Sequence, residues 1–400
     1  MTEDGHSVNK DLSGVRMRDV LHTLKRIERR TESNGNWPFE RQELINDLVK
    51  GRISLSNPSL QAILLDWIES EDHNEFVDTE TGERIFALSS KRGNVVYATR
   101  KTKKRDAIRN ALDDKIFDFP IPGFRNRRRT RLLFVTVNFD RSKFTAEEAW
   151  MALRSTPIEG VDCEYNVLNR LNANFRKIFG SHGTLISKEA QSSGYPAPHI
   201  ILLLDEPVTV ERHVGKDGKV TWRILEDRIL NRIGKGSQMR RLSRSDYRKA
   251  IDMNPIWRHG FIDFEGIVRE ERGKSGRDTV TYAFKYIVKC LTDGSSNSIS
   301  GIPDINSVKD PKLRTMLFTH LGNKCFRTRD ISFGKGFKDR IGLLPEAKKE
   351  DGPKWKRVRT VADYEYGFIS AVREQKSILR FKQIIAEQNA GGRDVALSVQ

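Results

Sequence analysis

Two tyrosines stand four positions apart in Thr281-Tyr282-Ala283-Phe284-Lys285-Tyr286-Ile287-Val288-Lys289, and each is followed three residues later by a lysine. On a helix, positions separated by three, four and seven share a face, so Tyr282, Lys285, Tyr286 and Lys289 form one stripe of phenols and ammonium groups. Two readings are open at this point. The stripe is a pair of half-buried rings with lysine stems lying along them. Or it is a nucleophile with its counter-charges: a phenolate attacking a phosphodiester needs nearby cations to lower its pKa and to hold the anion.

A second stretch adds an acid and an imidazole. Glu189-Ala190-Gln191-Ser192-Ser193-Gly194-Tyr195-Pro196-Ala197-Pro198-His199 is followed by the apolar run 200–204. A carboxylate closes one strand, a Gly/Pro turn follows, and a histidine opens the next strand. In a hairpin these two ends lie side by side, so Glu189 and His199 could face one ion. A lone strand histidine with only a structural role is the competing reading.

The elements that must position these groups follow from periodicity. Residues 132–139 (LLFVTVNF) form a strong strand. Residues 146–153 and 163–179 read as helices, and 183–188 and 199–204 as strands. Residues 222–232 and 245–251 read as helices, 257–269 contains another strand, and 279–291 is the tyrosine helix. Upstream, 15–29, 39–49 and 60–67 show helical spacing, the last behind a Ser56-Asn57-Pro58 start signal. Residues 84–88 and 95–98 alternate as strands around Lys91-Arg92-Gly93-Asn94. Three helices and a basic hairpin suggest a winged helix; a helical cap on the next domain fits as well. Residues 101–131 read as a basic connector with eleven Lys/Arg against four Asp. Past residue 300, helices are expected at 311–322 and 362–388, with a charged linker at 350–359. The expected domains are 1–100, the 101–131 connector, 132–295 and 296–400.

Composition limits the function classes. The 400 residues hold 71 Lys and Arg against 54 Asp and Glu, a formal net charge of +17, which favours a polyanionic partner. No apolar run approaches the ~18 residues that span a bilayer. The acidic opening Met1-Thr2-Glu3-Asp4 is not a signal peptide. Cys163, Cys290 and Cys325 are odd in number and follow no metal spacing, as expected of structural thiols in a reducing compartment.

In order and spacing, residues 132–291 resemble the HUH endonucleases, the replication initiators of rolling-circle plasmids and viruses, particularly archaeal ones. The strand 133–139 is similar to their first motif, the Glu189-to-His199 strand pair to their second, and Tyr282 to Lys289 to their Tyr-x-x-Lys helix in a double-tyrosine form. There is one departure. The family's second motif has two histidines flanking a hydrophobic residue; here the positions are Ala197, Pro198 and His199. In place of the missing histidine, His259 and Asp263 stand four apart in the 257–269 strand and would point the same way.

The resemblance implies an α+β fold, with a central antiparallel sheet flanked by helices, a mainly helical N-terminal domain and a helical C-terminal extension. It implies transesterification on single-stranded DNA by Tyr282 and Tyr286, with Lys285 and Lys289 steadying charge. It implies a divalent metal, Mn²⁺ or Mg²⁺, on His199 and Glu189, with His259 and Asp263 as candidates. The basic side chains Arg125, Arg127, Arg128, Arg129, Arg131, Arg327 and Arg329 would then hold DNA. The implied partners are origin DNA and host helicase and polymerase, in the cytoplasm of a prokaryotic cell, with no membrane.

Overall fold

The computed structural model describes residues 42–69, 72–90, 93–113, 115, 117–215, 218, 220–233, 254–269, 308–334, 336–343 and 355–361. They divide into two compact units. One includes 72–89 and 355–361; the other includes 42–69, 90 and the described residues from 93 to 343. No helix among the described residues is long and apolar enough to cross a membrane.

The smaller unit is a three-stranded antiparallel sheet. β1 (His73–Asp78) lies between β2 (Arg84–Leu88) and β10 (Trp355–Val361). Asp78 makes the β1–β2 turn, its Oδ1 accepting from the backbone N of Glu80 at 2.8 Å. Glu75 is buried in the middle strand and accepts from one arginine on each neighbour, Arg84 Nη1 and Arg359 Nε, both at 2.8 Å. Those guanidiniums, Arg359 first, hold its carboxyl below the usual range despite burial.

Four expectations change here. Residues 350–359 are not wholly a linker, because β10 begins at Trp355 and pairs in register with β1. Strand β2 finds its partner upstream, in β1. Residues 95–98 open a 19-residue helix, α3 (Val95–Asp113), so the second strand of the winged hairpin is not formed. The reason is Asn94. Its Oδ1 accepts from Tyr97 N at 2.9 Å and its carbonyl from Ala98 N at 3.0 Å, so Gly93-Asn94 acts as a helix cap where a hairpin turn was expected. The basic connector is likewise structured: α3, then β3 (Asp118–Ile121) and β4 (Phe124–Val137).

The larger unit is mixed α+β, with a curled antiparallel sheet of seven strands flanked by helices. Two long strands are its spine: β4 and the 19-residue β6 (Pro196–Val214). Each takes two partners along its outer edge. On β4 these are β3, then β8 (Ile262–Gly266). On β6 they are β5 (His182–Ala190) and β7 (Val220–Ile224). β9 (Ile331–Phe333) extends the sheet beyond β5. Residues 222–232 were expected to be one helix. They split into the end of β7 and α6 (Asp227–Ile233), following α1 (Gln42–Val49), α2 (Pro58–Glu69), α4 (Ala146–Ala152) and α5 (Val167–Phe179) in chain order.

Local chemistry explains the helices. Thr145 and Glu148 form a reciprocal capping box that starts α4. Helix α5 buries Val167, Leu168, Leu171, Phe175 and Phe179, a stripe at helical spacing. Asp310 caps α7 (Pro311–Cys325), with proline at its first position. Cys325 is fully buried and burial pushes its thiol up, which keeps it protonated and inert. Past β9 the edge of β5 is sealed by α7: Thr319 Oγ1 accepts from Ala190 N at 2.8 Å and Asn323 Nδ2 donates to Lys188 O at 3.0 Å.

The two sheet faces are covered differently. Phe175 and Phe179 of α5 pack on Phe264 at 5.9 and 6.0 Å between ring centres. The opposite face carries Leu185, Ile201 and Leu203 against Ile108 and Leu112 of α3 and Phe337 and Ile341 of α8 (Phe337–Ile341). Gly183 permits that second contact. A Cβ there would stand 2.6 Å from Phe337 Cα and 3.1 Å from its N. Replacing Gly183 by alanine should therefore cost about 1–3 kcal/mol, because backbone cannot yield as a flexible side chain can. Urea unfolding of wild type and variant reads it directly.

Candidate functional site

The register of β4, β5, β6 and β8 places several polar residues on one face. Thr136 pairs with His199 on β6 and with Asp263 on β8, and His199 pairs with Ser187 on β5. Directly paired residues share a face, and so do residues two apart. One row across the sheet therefore reads Asp263, Thr136, His199, Ser187. Glu189, two beyond Ser187, and Glu265, two beyond Asp263, lie on the same face.

His199 is the centre of this row. Its Nε2 lies 3.7 Å from Glu189 Oε2, and its Nδ1 lies 3.4 Å from Thr136 Oγ1. Phe134 stacks on the imidazole with centroids 5.4 Å apart and planes 16° from parallel. His199 is 7% exposed and Glu189 2%. The ring is thus held on three sides, and the acid and imidazole expected to meet across the hairpin do meet.

Further out lies a polar rim. Gln191 Nε2 donates to Asn138 Oδ1 at 2.9 Å. Arg141 Nη2 donates to Gln191 Oε1 at 2.6 Å and to Ser193 Oγ at 2.9 Å. The Arg141 guanidinium also lies 5.1 Å from the Tyr195 ring centre. This exposed cation is anchored through only one of its three nitrogens among these bonds.

His259 does not join the row. The strand expected to run through it begins only at Ile262, and His259 lies in the preceding turn. There it packs against Trp257 and Phe144, at 4.8 and 5.9 Å, and its Nδ1 pairs with Glu164 Oε2 at 3.0 Å. The i, i+4 argument that joined it to Asp263 required unbroken strand. Asp263 does reach the row, across β4 from His199.

The donor chemistry of His199 and Glu189 suits a hard divalent ion, one imidazole nitrogen and one carboxylate oxygen converging. These two supply two of the roughly six ligands that such an ion takes. Among the described residues, no group of three His, Cys, Asp or Glu side chains is arranged to hold a metal ion. Tyr282, Lys285, Tyr286 and Lys289 lie outside the described residues.

The basic candidates fall in two places. Arg125, Arg127, Arg128, Arg129 and Arg131 all belong to β4, beyond the part that carries the row. Arg128 is neutralised by Asp118 at 2.8 Å and Arg127 by Glu211 at 2.9 Å. Arg327 and Arg329 are exposed in the turn between α7 and β9. Sequence reading missed Thr136, Asn138 and Glu265. The signal was present: Thr136 and Asn138 are the polar alternates of an apolar strand, and Glu265 repeats the Asp263 position two residues on.

The chain matches no protein-family model, no curated protein and no solved structure.

The His259 pair carries a titration prediction. Burial holds this imidazole below its ordinary value, and Glu164 opposes that shift. The unfolded chain therefore takes up a proton first as pH falls. The contribution to stability is full above about 6.5 and declines below it. By NMR, His259 should titrate below the ordinary histidine range, and lower still in Glu164→Gln.

Proposed function

We propose that this protein is a replication initiator of the HUH type, which nicks and rejoins single-stranded origin DNA by tyrosine transesterification. The observation that carries the reading is the contact between His199 and Glu189 on neighbouring strands, in a row that also includes Thr136 and Asp263. An isolated structural histidine does not need a buried acid beside it and two more acids on the same sheet face.

The chemistry follows from the residue types. One tyrosine oxygen, Tyr282 or Tyr286, forms a bond to the scissile phosphorus. The bond from phosphorus to the 3′ oxygen breaks, and that oxygen leaves as a hydroxyl after gaining a proton. The product is a 5′-phosphotyrosine, and attack by a 3′-hydroxyl restores the phosphodiester. Phosphoester energy is conserved, so no nucleotide is consumed. Lys285 and Lys289 offset developing negative charge. A divalent ion, Mn²⁺ or Mg²⁺, would be held by His199 and Glu189 and would polarise the phosphoryl oxygens. Thr136 and Phe134 fix the imidazole plane, so that Nε2 points towards Glu189. Arg141 offers a cation at the rim for the flanking phosphates. Two tyrosines permit a second transfer while the first end stays covalent. No complete Gly-x-x-x-x-Gly-Lys-Ser/Thr phosphate loop is present, so unwinding falls to a host helicase and synthesis to a host polymerase, in the cytoplasm of a prokaryotic cell.

A second reading, a DNA-binding protein without catalysis on the same scaffold, is favoured by Ala197 where the family has its first histidine. A denaturing gel with labelled origin-derived single strands and Mn²⁺ separates the two. The nicking reading expects a covalent adduct, lost when both Tyr282 and Tyr286 become phenylalanine while DNA affinity stays within about tenfold, since phenylalanine keeps the stacking surface. His199→Ala should lower adduct yield and its dependence on Mn²⁺. Absence of any adduct from wild type on every origin-like strand favours the binder.

A further inference from the structure

We infer that the far half of β4 is a single-strand-tracking ladder, in which Arg125, Arg129 and Arg131 hold phosphates and Phe119 and Phe124 stack bases. This deepens the single-strand reading above and rests on it for the identity of the polymer.

Arg127, Arg129 and Arg131 occupy alternate positions of one antiparallel strand, so their side chains leave on one side; Arg125 follows past the register shift between Pro120 and Ile121 and is exposed. Arg128 leaves on the other and is bound to buried Asp118. The neighbouring strands agree. Phe119 is the direct partner of Arg129, and the Arg131 guanidinium lies 5.9 Å from the Phe119 ring centre, which puts all three on one surface. At the other end the Arg127 guanidinium lies 4.8 Å from the Phe124 ring centre. Phe119 and Phe124 are 39% and 48% exposed, and Arg125, Arg129 and Arg131 are exposed too. Glu211 neutralises Arg127. The other three form no close ion pair among the described residues; the charge of Arg131 reaches Asp205, which is bonded to Arg340.

Ring exposure selects the ligand. Alternate residues of an antiparallel strand are about 6.8 Å apart, a step that a sugar-phosphate backbone can follow. A duplex keeps its base faces within the stack, whereas an unpaired strand leaves them free to lie on rings. Exposed rings interleaved with exposed cations are the two components of sequence-tolerant single-strand binding.

The test uses the full chain without metal, so that no nicking is needed. Anisotropy of a labelled oligo-dT twenty-mer is followed from about 50 to 200 mM salt. Changing Arg125, Arg129 and Arg131 together to alanine should flatten the log–log salt slope by about 2, at ~0.7 per phosphate. The corresponding lysine triple should keep the wild-type slope. Phe119→Ala with Phe124→Ala should weaken binding roughly tenfold or more at fixed salt with the slope intact. Circular dichroism confirms that each variant is folded. An unchanged slope in the alanine triple, or a loss confined to a duplex of equal length, overturns the ladder. The adduct gel is independent: an adduct with an unchanged slope sinks only the ladder, and a flattened slope with no adduct sinks only the nicking reading.

Discussion

The pairing register of β4 with β6 is the constraint on which the rest depends. Thr136 must stand opposite His199 for the imidazole to be braced by a hydroxyl on one side and Glu189 on the other. Side chains alternate across a strand, so a slip of one residue would turn Thr136 into the α5 layer and bring Val135 or Val137 beside the histidine. The slip is opposed along the whole strand. Leu133, Val135 and Val137 are almost fully buried on the other face, and none of them tolerates exchange with Thr136 or Asn138 without exposing apolar surface or burying polar groups.

The same two strands serve two ends of the unit. Near the β6 N-terminus, β4 and β6 lie between β8 and β5 and carry the polar row. Further along, they lie between β3 and β7 and carry the arginines. Length is what joins them: 14 and 19 residues, where a strand needs only five or six to cross a core. The surplus carries the sheet past its covering helices, and there arginine replaces leucine and valine. The register shift between Thr130 and Leu132 marks the change. Support for the row comes from its own face and edge: Gly183 admits α8 on the same sheet face, and α7 ties the β5 edge that carries Glu189.

Much of the central sheet was legible because its apolar runs are long and their breaks sharp. Residues 132–139, 183–188 and 199–204 read as strands and are strands, except the tail past Val137. Residues 146–153 and 163–179 read as helices and hold α4 and α5, the second starting only at Val167, after Asn166 in a left-handed conformation. Failures came where one local signal serves two structures. Gly93-Asn94 reads as a hairpin turn but caps a helix. The charged stretch 101–131 reads as linker because its strand half faces water on one side and is short of apolar alternates. Residues 355–359 read as linker for a like reason: Lys356 to Arg359 are exposed, and β10 exists through its pairing with β1, nearly 300 positions upstream, which no local window contains.

By itself the sequence determined the chemistry on offer: the acid and imidazole at facing strand ends, the alternating arginines, and the stripe of phenols and ammonium groups with its three-and-four spacing. Those are properties of nearest neighbours and of backbone period, which residue order alone specifies. Only the tertiary structure decided which groups share a surface. It set Asp263 in line with His199 through a third strand, turned His259 away to Glu164 and an aromatic pocket, and paired off Arg128 while leaving Arg129 open. Each outcome depends on register between segments distant in the chain, and register is settled by burying all the apolar alternates at once.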